Sequence, residues 1–99
     1  MNNSVKQIEK YLESAVLASE SRIQREVFGY DRANSIWSNK KYADLLRRGW
    51  NKDLYNRVEI SVPGVRSRIF YYKGTQQELE KLLASRNETV ATFVQKNEL

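Results

Sequence analysis

The stretch Arg57-Val58-Glu59-Ile60-Ser61-Val62-Pro63-Gly64-Val65-Arg66-Ser67-Arg68-Ile69-Phe70-Tyr71-Tyr72-Lys73 decides the fold. Val58, Ile60 and Val62 alternate with Arg57, Glu59 and Ser61, the period of a strand with one buried face. Pro63-Gly64 supplies turn chemistry, because proline fixes φ at the first central position and glycine accepts the positive φ of a type II turn. A second strand returns from Arg66 to Lys73. Its alternation sets Ser67, Ile69 and Tyr71 on one side and Arg66, Arg68, Phe70 and Tyr72 on the other. A lone hairpin is marginal in water, so the side carrying Val58, Ile60, Ile69 and Tyr71 is expected to lie against helices.

Helical periodicity flanks the hairpin. Upstream, Ser4 with Gln7 has capping-box spacing, and Val5, Ile8, Leu12, Ala15, Val16, Ile23 and Val27 form a narrow apolar stripe. The spacing predicts one long helix ending near Gly29. Asp31 then caps a short helix through Ile36 and Trp37, and Ser38 caps another that stops at Gly49. Downstream, Thr75 with Glu78 makes a second capping box, and Leu79, Leu82, Leu83, Val90, Phe93 and Val94 keep helical spacing. Asn87 is the place for an interruption there, since Ser85 with Glu88 can restart a helix. The expected fold is α+β and mainly helical, in the order α-α-α-β-β-α with a single two-stranded hairpin. A chain of 99 residues without internal repeat or linker reads as one domain, residues 1–99.

Two absences remove much chemistry. The sequence has no cysteine and no histidine, so disulfides, thiolate nucleophiles, zinc-finger ligation and every Ser-His-Asp arrangement are excluded. The acids Asp31, Asp44, Asp53 and Glu59 are dispersed through the middle of the chain, without the paired carboxylates of acid–base catalysis. The four glycines, at 29, 49, 64 and 74, are spaced as element terminators rather than as a phosphate-binding loop. No cofactor, metal or catalytic residue is therefore expected. No run of apolar residues is long enough for a membrane span, and Met1-Asn2-Asn3-Ser4 lacks the basic and apolar regions of a signal peptide, so a cytoplasmic protein is expected.

Charge carries the functional reading. The net charge is +5, with 17 basic and 12 acidic side chains. Both ends are slightly acidic, and residues 22–74 hold twelve basic side chains against five acidic ones. Such concentration is the usual footprint of a polyanion partner, and the bland alternative is that the +5 surplus merely keeps a small protein soluble. Within this region Lys40, Lys41, Arg47 and Arg48 surround Asp44 on one side of a helix, opposite Tyr42, Ala43, Leu45 and Leu46. A solvated helix side is the bland reading of such a face. Arg66 and Arg68 beside the turn interleave with Phe70 and Tyr72. Arginine matches phosphate and aromatic rings stack on bases, although large rings more often belong to a core. Trp37 and Trp50 are expected in the core with their indole N–H groups near the surface.

A helix-corner-helix unit followed by a basic hairpin resembles a winged helix-turn-helix in element order. That resemblance implies a second helix in the major groove and hairpin arginines on flanking phosphates. The leading expectation is a small, non-enzymatic regulator that binds duplex DNA through Lys40, Lys41, Arg47, Arg48, Arg66 and Arg68. The alternative is an adaptor or inhibitor whose basic face docks on an acidic protein. A third reading is a small metal-independent ribonuclease using Arg68, Tyr72 and Lys73. Apolar stripes on the first and last helices offer a route to a homodimer.

Overall fold

The predicted long first helix breaks at Val16. In the computed structural model, which describes residues 2–30 and 39–98 and not the side chains of residues 2, 3, 65, 66 and 98, helix α1 covers Asn2–Ala15 and strand β1 covers Leu17–Ser19. Ser4 therefore lies inside the first helix rather than at its cap. Helix α2 follows at Glu20–Phe28. The Val16 N–H still donates to the Leu12 carbonyl, but its φ is +73°, a left-handed value that a β-branched residue adopts only under tertiary constraint. Burial of Leu17, Ala18 and Ser19 in a sheet supplies that constraint, and the Ser19 hydroxyl accepts from Arg22 N–H to start α2. Helix α2 ends at Gly29 as the spacing predicts. The predicted short helix from Asp31 through Ile36 and Trp37, and the Ser38 cap, lie outside the described residues.

Helix α3 spans Lys40–Asn51, capped by the Asn39 side chain on Lys41 N–H at 2.9 Å. It runs through Gly49 instead of stopping there. A Cβ at Gly49 would overlap the Tyr55 ring and hydroxyl, so this glycine serves a close approach and not a terminus. Strands β2 (Asn56–Val62) and β3 (Val65–Tyr72) form the hairpin, with Gly64 at φ +83° in its turn. Helices α4 (Gln76–Ser85) and α5 (Val90–Glu98) complete the chain, and the predicted Thr75/Glu78 capping box is fully formed. The break between them falls at Asn87 as expected, at φ +59°, but the restart is corrected: Ser85 closes α4, and Thr89, whose hydroxyl accepts from Thr92 N–H at 3.2 Å, caps α5 in place of Ser85 with Glu88.

Among the described residues the order is thus α-β-α-α-β-β-α-α, and the two-stranded hairpin of the sequence reading is corrected to a three-stranded antiparallel sheet in the order β1-β3-β2. The fold is mixed α+β and mostly helical. Central β3 is covered on both faces. Leu17, Ile60, Phe70 and Tyr72 pack with Leu79 and Leu83 of α4 and Phe93 and Val94 of α5. Ala18 and Tyr71 pack with Ile8 and Leu12 of α1, Ile23 of α2, Leu46 of α3 and Tyr55. The expected pairing of Val58 and Ile60 with the Ile69 and Tyr71 face is corrected: Val58 lies opposite Phe70, and Ile60 opposite Arg68. The register shifts between Ile60 and Val62, and one residue of shift exchanges the faces.

Two buried tyrosines tie these layers together. Tyr55 donates to the Leu46 carbonyl at 2.7 Å, and Tyr71 donates to a Glu20 carboxylate oxygen at 2.9 Å. Burial pushes both hydroxyls well above the ordinary tyrosine range, assisted by Glu9 near Tyr55 and by Glu20 at Tyr71. Lys73, just past β3, donates to Glu9 at 2.9 Å and Glu13 at 3.1 Å, joining the sheet to α1.

Gly49→Ala gains about 1 kcal/mol of helix propensity. It loses roughly 1–3 kcal/mol to overpacking, because the Tyr55 ring is held in place by its bond to Leu46. A net destabilisation is expected as a lower urea midpoint. Alkali provides a second check. Above pH ~10 the unfolded chain ionises its tyrosines while the folded one keeps Tyr55 and Tyr71 neutral, so stability falls with rising pH by up to about 1.4 kcal/mol per group per pH unit. Tyrosinate absorbance from these two rings should rise together with unfolding, not before it.

Candidate functional site

Helix α3 is fixed along one side and bare along the other. Its N-terminal end is held by Gln24, a fully buried residue of α2. The Gln24 side-chain oxygen accepts from Asn39 N–H at 2.7 Å, and its amide donates to the Asn39 carbonyl at 3.3 Å. One side chain thereby satisfies both backbone groups of the cap residue, as a neighbouring strand would. Phe28 of α2 stacks on Tyr42 at 4.6 Å between centroids and 9° between planes, and Tyr30 leans on the same ring. Further along, buried Leu46 meets Ile8 and Ile23, while Gly49 rests on Tyr55. Three points of attachment set the rotation of α3 about its axis.

That rotation turns Lys40, Lys41, Arg47 and Arg48 to solvent. At 3.6 residues per turn they occupy an arc of about 120°, with Asp44 at its centre, and they extend ~12 Å along the axis. Asp44 pairs with Arg47 at 3.6 Å, and both side chains are about half exposed, so the pair holds geometry weakly and removes one charge. Four cations against one carboxylate leave +3 on the face. Lys41 Nζ lies 5.9 Å from the Tyr42 centroid, at the edge of cation–π reach.

The hairpin arginines have a different fate. Arg68 is half-buried opposite Ile60, on the sheet face that packs against α4 and α5, whereas α3 lies on the other face. The convergence of Arg68 with the α3 cations is therefore not seen, because Arg68 shares the face of Phe70 and Tyr72 while α3 packs on the Tyr71 face. The side chain of Arg66 lies outside the described residues. Phe70 and Tyr72 are core residues. Lys73 is clamped by Glu9 and Glu13, whose hydrogen bonds raise its pKa, so Arg68, Tyr72 and Lys73 do not gather as an exposed cluster.

Two neighbours of the basic face were not anticipated. Trp50, expected in the core, is 37% exposed on α3. The Arg57 guanidinium of β2 lies over its ring, 5.1 Å from the centroid. Alternation along β2 already set Arg57 apart from Val58 and Ile60, and what was missing was which face of the sheet α3 would cover. Among the described residues, no three acidic side chains come close enough to hold a metal ion, and no helix is long and apolar enough to cross a membrane.

No protein-family model matches the sequence, and no significant match exists among curated proteins or solved structures. The arrangement of α3 is thus the whole basis for a functional reading.

Gln24→Ala leaves the Asn39 N–H without its partner, while the Asn39 carbonyl still accepts from Ala43 N–H at 2.9 Å, and is expected to cost about 1–3 kcal/mol. Urea unfolding measures it. Arg25→Ala, an exposed change one residue along α2, should stay close to wild type.

Proposed function

We propose that this chain is a non-enzymatic duplex-DNA-binding protein of regulatory type, with α3 entering the major groove. The observation that carries the reading is the bare +3 face of α3 on a helix whose opposite side is anchored at both ends. An α-helix fits the major groove, and lysine and arginine on its outer side meet phosphates and guanine edges. The connectivity supports the same reading. A strand between the first two helices, pairing beside a later hairpin in the order β1-β3-β2, is the strand arrangement of a winged helix-turn-helix. In that frame α3 is the recognition helix and β2–β3 is the wing. The proposed contacts are Lys40, Lys41, Arg47 and Arg48, and Arg68 is no longer among them. Such a ligand suits a cytoplasmic protein.

Binding through phosphates follows salt with a log–log slope of about −0.9 per phosphate neutralised. Replacing Arg47 and Arg48 together by alanine should flatten that slope by roughly 2, whereas Arg68→Ala should leave it unchanged. Gel shifts with random duplex DNA across a salt series give both numbers. A wild-type chain that fails to shift duplex DNA at micromolar concentration and low salt removes the proposal and leaves an acidic protein surface as the ligand of this face.

A further inference from the structure

The first and last helices spend their apolar stripes inside the chain: Val5, Ile8 and Leu12 of α1 and Phe93 and Val94 of α5 are buried in its own core. A different surface is equipped for self-association. In the sheet order β1-β3-β2, strand β2 is an edge, and among the described residues nothing pairs with its outer side. Its backbone there presents a row of donors and acceptors that another strand can complete. The regular part of β2 runs from Asn56, opposite Tyr72, to Ile60, opposite Arg68, before the register shifts. The midpoint of that stretch is Val58.

We infer that two copies of this chain pair through β2, antiparallel about a twofold axis at Val58, to make one continuous six-stranded sheet. The argument is charge complementarity. A twofold perpendicular to a sheet keeps each face with itself, so it must pass through a residue position and sets residues equally spaced on either side of that position opposite one another. Centred on Val58, it brings Arg57 of each copy opposite Glu59 of the other, twice. Centred on Arg57 or Glu59, it sets like charges together, which is unfavourable. The same edge that would repel itself in either neighbouring register attracts itself in this one.

The side chains are prepared for it. The Arg57 guanidinium lies over the Trp50 ring, 5.1 Å from its centroid, a contact that leaves its N–H donors free of the ring. Glu59 is exposed on the same face, and pairing trades or shares the one exposed bond its carboxylate accepts, from Ser67 of β3 at 2.8 Å, for the stronger charge-assisted pair. On the opposite face, Val58 and Ile60 line a groove of about 290 Å³ with Leu79 and Val90. Pairing at Val58 sets the two grooves side by side and covers valine with valine. The axis also keeps both copies of α3 on one side of the joint sheet. The inference itself stands without the DNA reading, since its test contains no nucleic acid.

The test is sedimentation equilibrium of the full chain. Wild type is expected to dimerise in the micromolar range. Arg57→Glu and Glu59→Arg should each weaken the dimer by about tenfold or more, by replacing two attractive pairs with two repulsive ones. Mixed one to one, the two single variants should form a heterodimer, because each then meets its opposite charge, and the double variant carrying both changes should regain the homodimer. Glu59→Arg alters an exposed side chain, so circular dichroism should stay that of wild type. A monomeric wild type, a dimer indifferent to either reversal, or single variants that fail to associate on mixing would each overturn the proposal.

Discussion

Three consecutive aromatic residues, Phe70, Tyr71 and Tyr72, are buried in one strand, and most of the architecture follows from that. Successive side chains of a strand point to opposite faces, so no arrangement with helices on a single side can cover all three. The chain answers with two layers. Helices α4 and α5 take Phe70 and Tyr72, and α1, α2 and α3 take Tyr71. The same demand reaches the strand on the other side of β3. Leu17, Ala18 and Ser19 are all buried, and they pair with Tyr72, Tyr71 and Phe70 in turn. The pairing is strong enough to end a helix and to hold Val16 in the left-handed region.

Much of this was legible from residue type and spacing, and the failures share one cause. The hairpin, its Pro63-Gly64 turn, the Thr75/Glu78 capping box and the break at Asn87 are local features, written in turn and cap chemistry. Strand β1 is not local. Its three residues sit inside a helical stripe that resumes beyond them at Ile23, and only partnership with β3, more than fifty residues away, makes them a strand. Ser19 followed by Glu20 was the available signal, since serine caps a helix and an acid favours its first turn. The exchange of sheet faces has a similar origin. Val62 pairs with Val65 across the turn, and extending that register unchanged would set Val58 against Ile69, as alternation predicts. The shift between Ile60 and Val62 sets Val58 against Phe70 instead. A bulge has no firm signature in alternating residues, so alternation named the strands and missed their faces.

The candidate site divides in the same way. Lys40, Lys41, Arg47 and Arg48 could be assigned to one helix side because helical period is a local rule, and the structure leaves that side exposed. Alternation grouped Arg68 with Phe70 and Tyr72, but neither its separation from α3 nor the contact of Arg57 with Trp50 could be read without knowing which sheet face α3 occupies. Gln24 is the least legible of all. A glutamine in a polar stretch of helix reads as solvent-facing, yet it is fully buried and bonded twice to Asn39.

Those anchors bear on how the face performs. A helix that orders only on meeting its ligand gives up conformational entropy at that moment and binds more weakly for the same contacts. Helix α3 has its cap residue fixed by Gln24, its first turn stacked through Tyr42 on Phe28, and its last turns pinned by Tyr55 on Leu46 and Gly49. Its backbone is in place before any ligand arrives, and what remains to be ordered are long lysine and arginine side chains at the surface. The exposed ion pair between Asp44 and Arg47 restrains one of these at little energetic gain, which leaves the arginine ready to exchange a carboxylate for a stronger anion. The face thus combines a rigid scaffold with adjustable charged tips, and its affinity is governed by charge and salt rather than by folding.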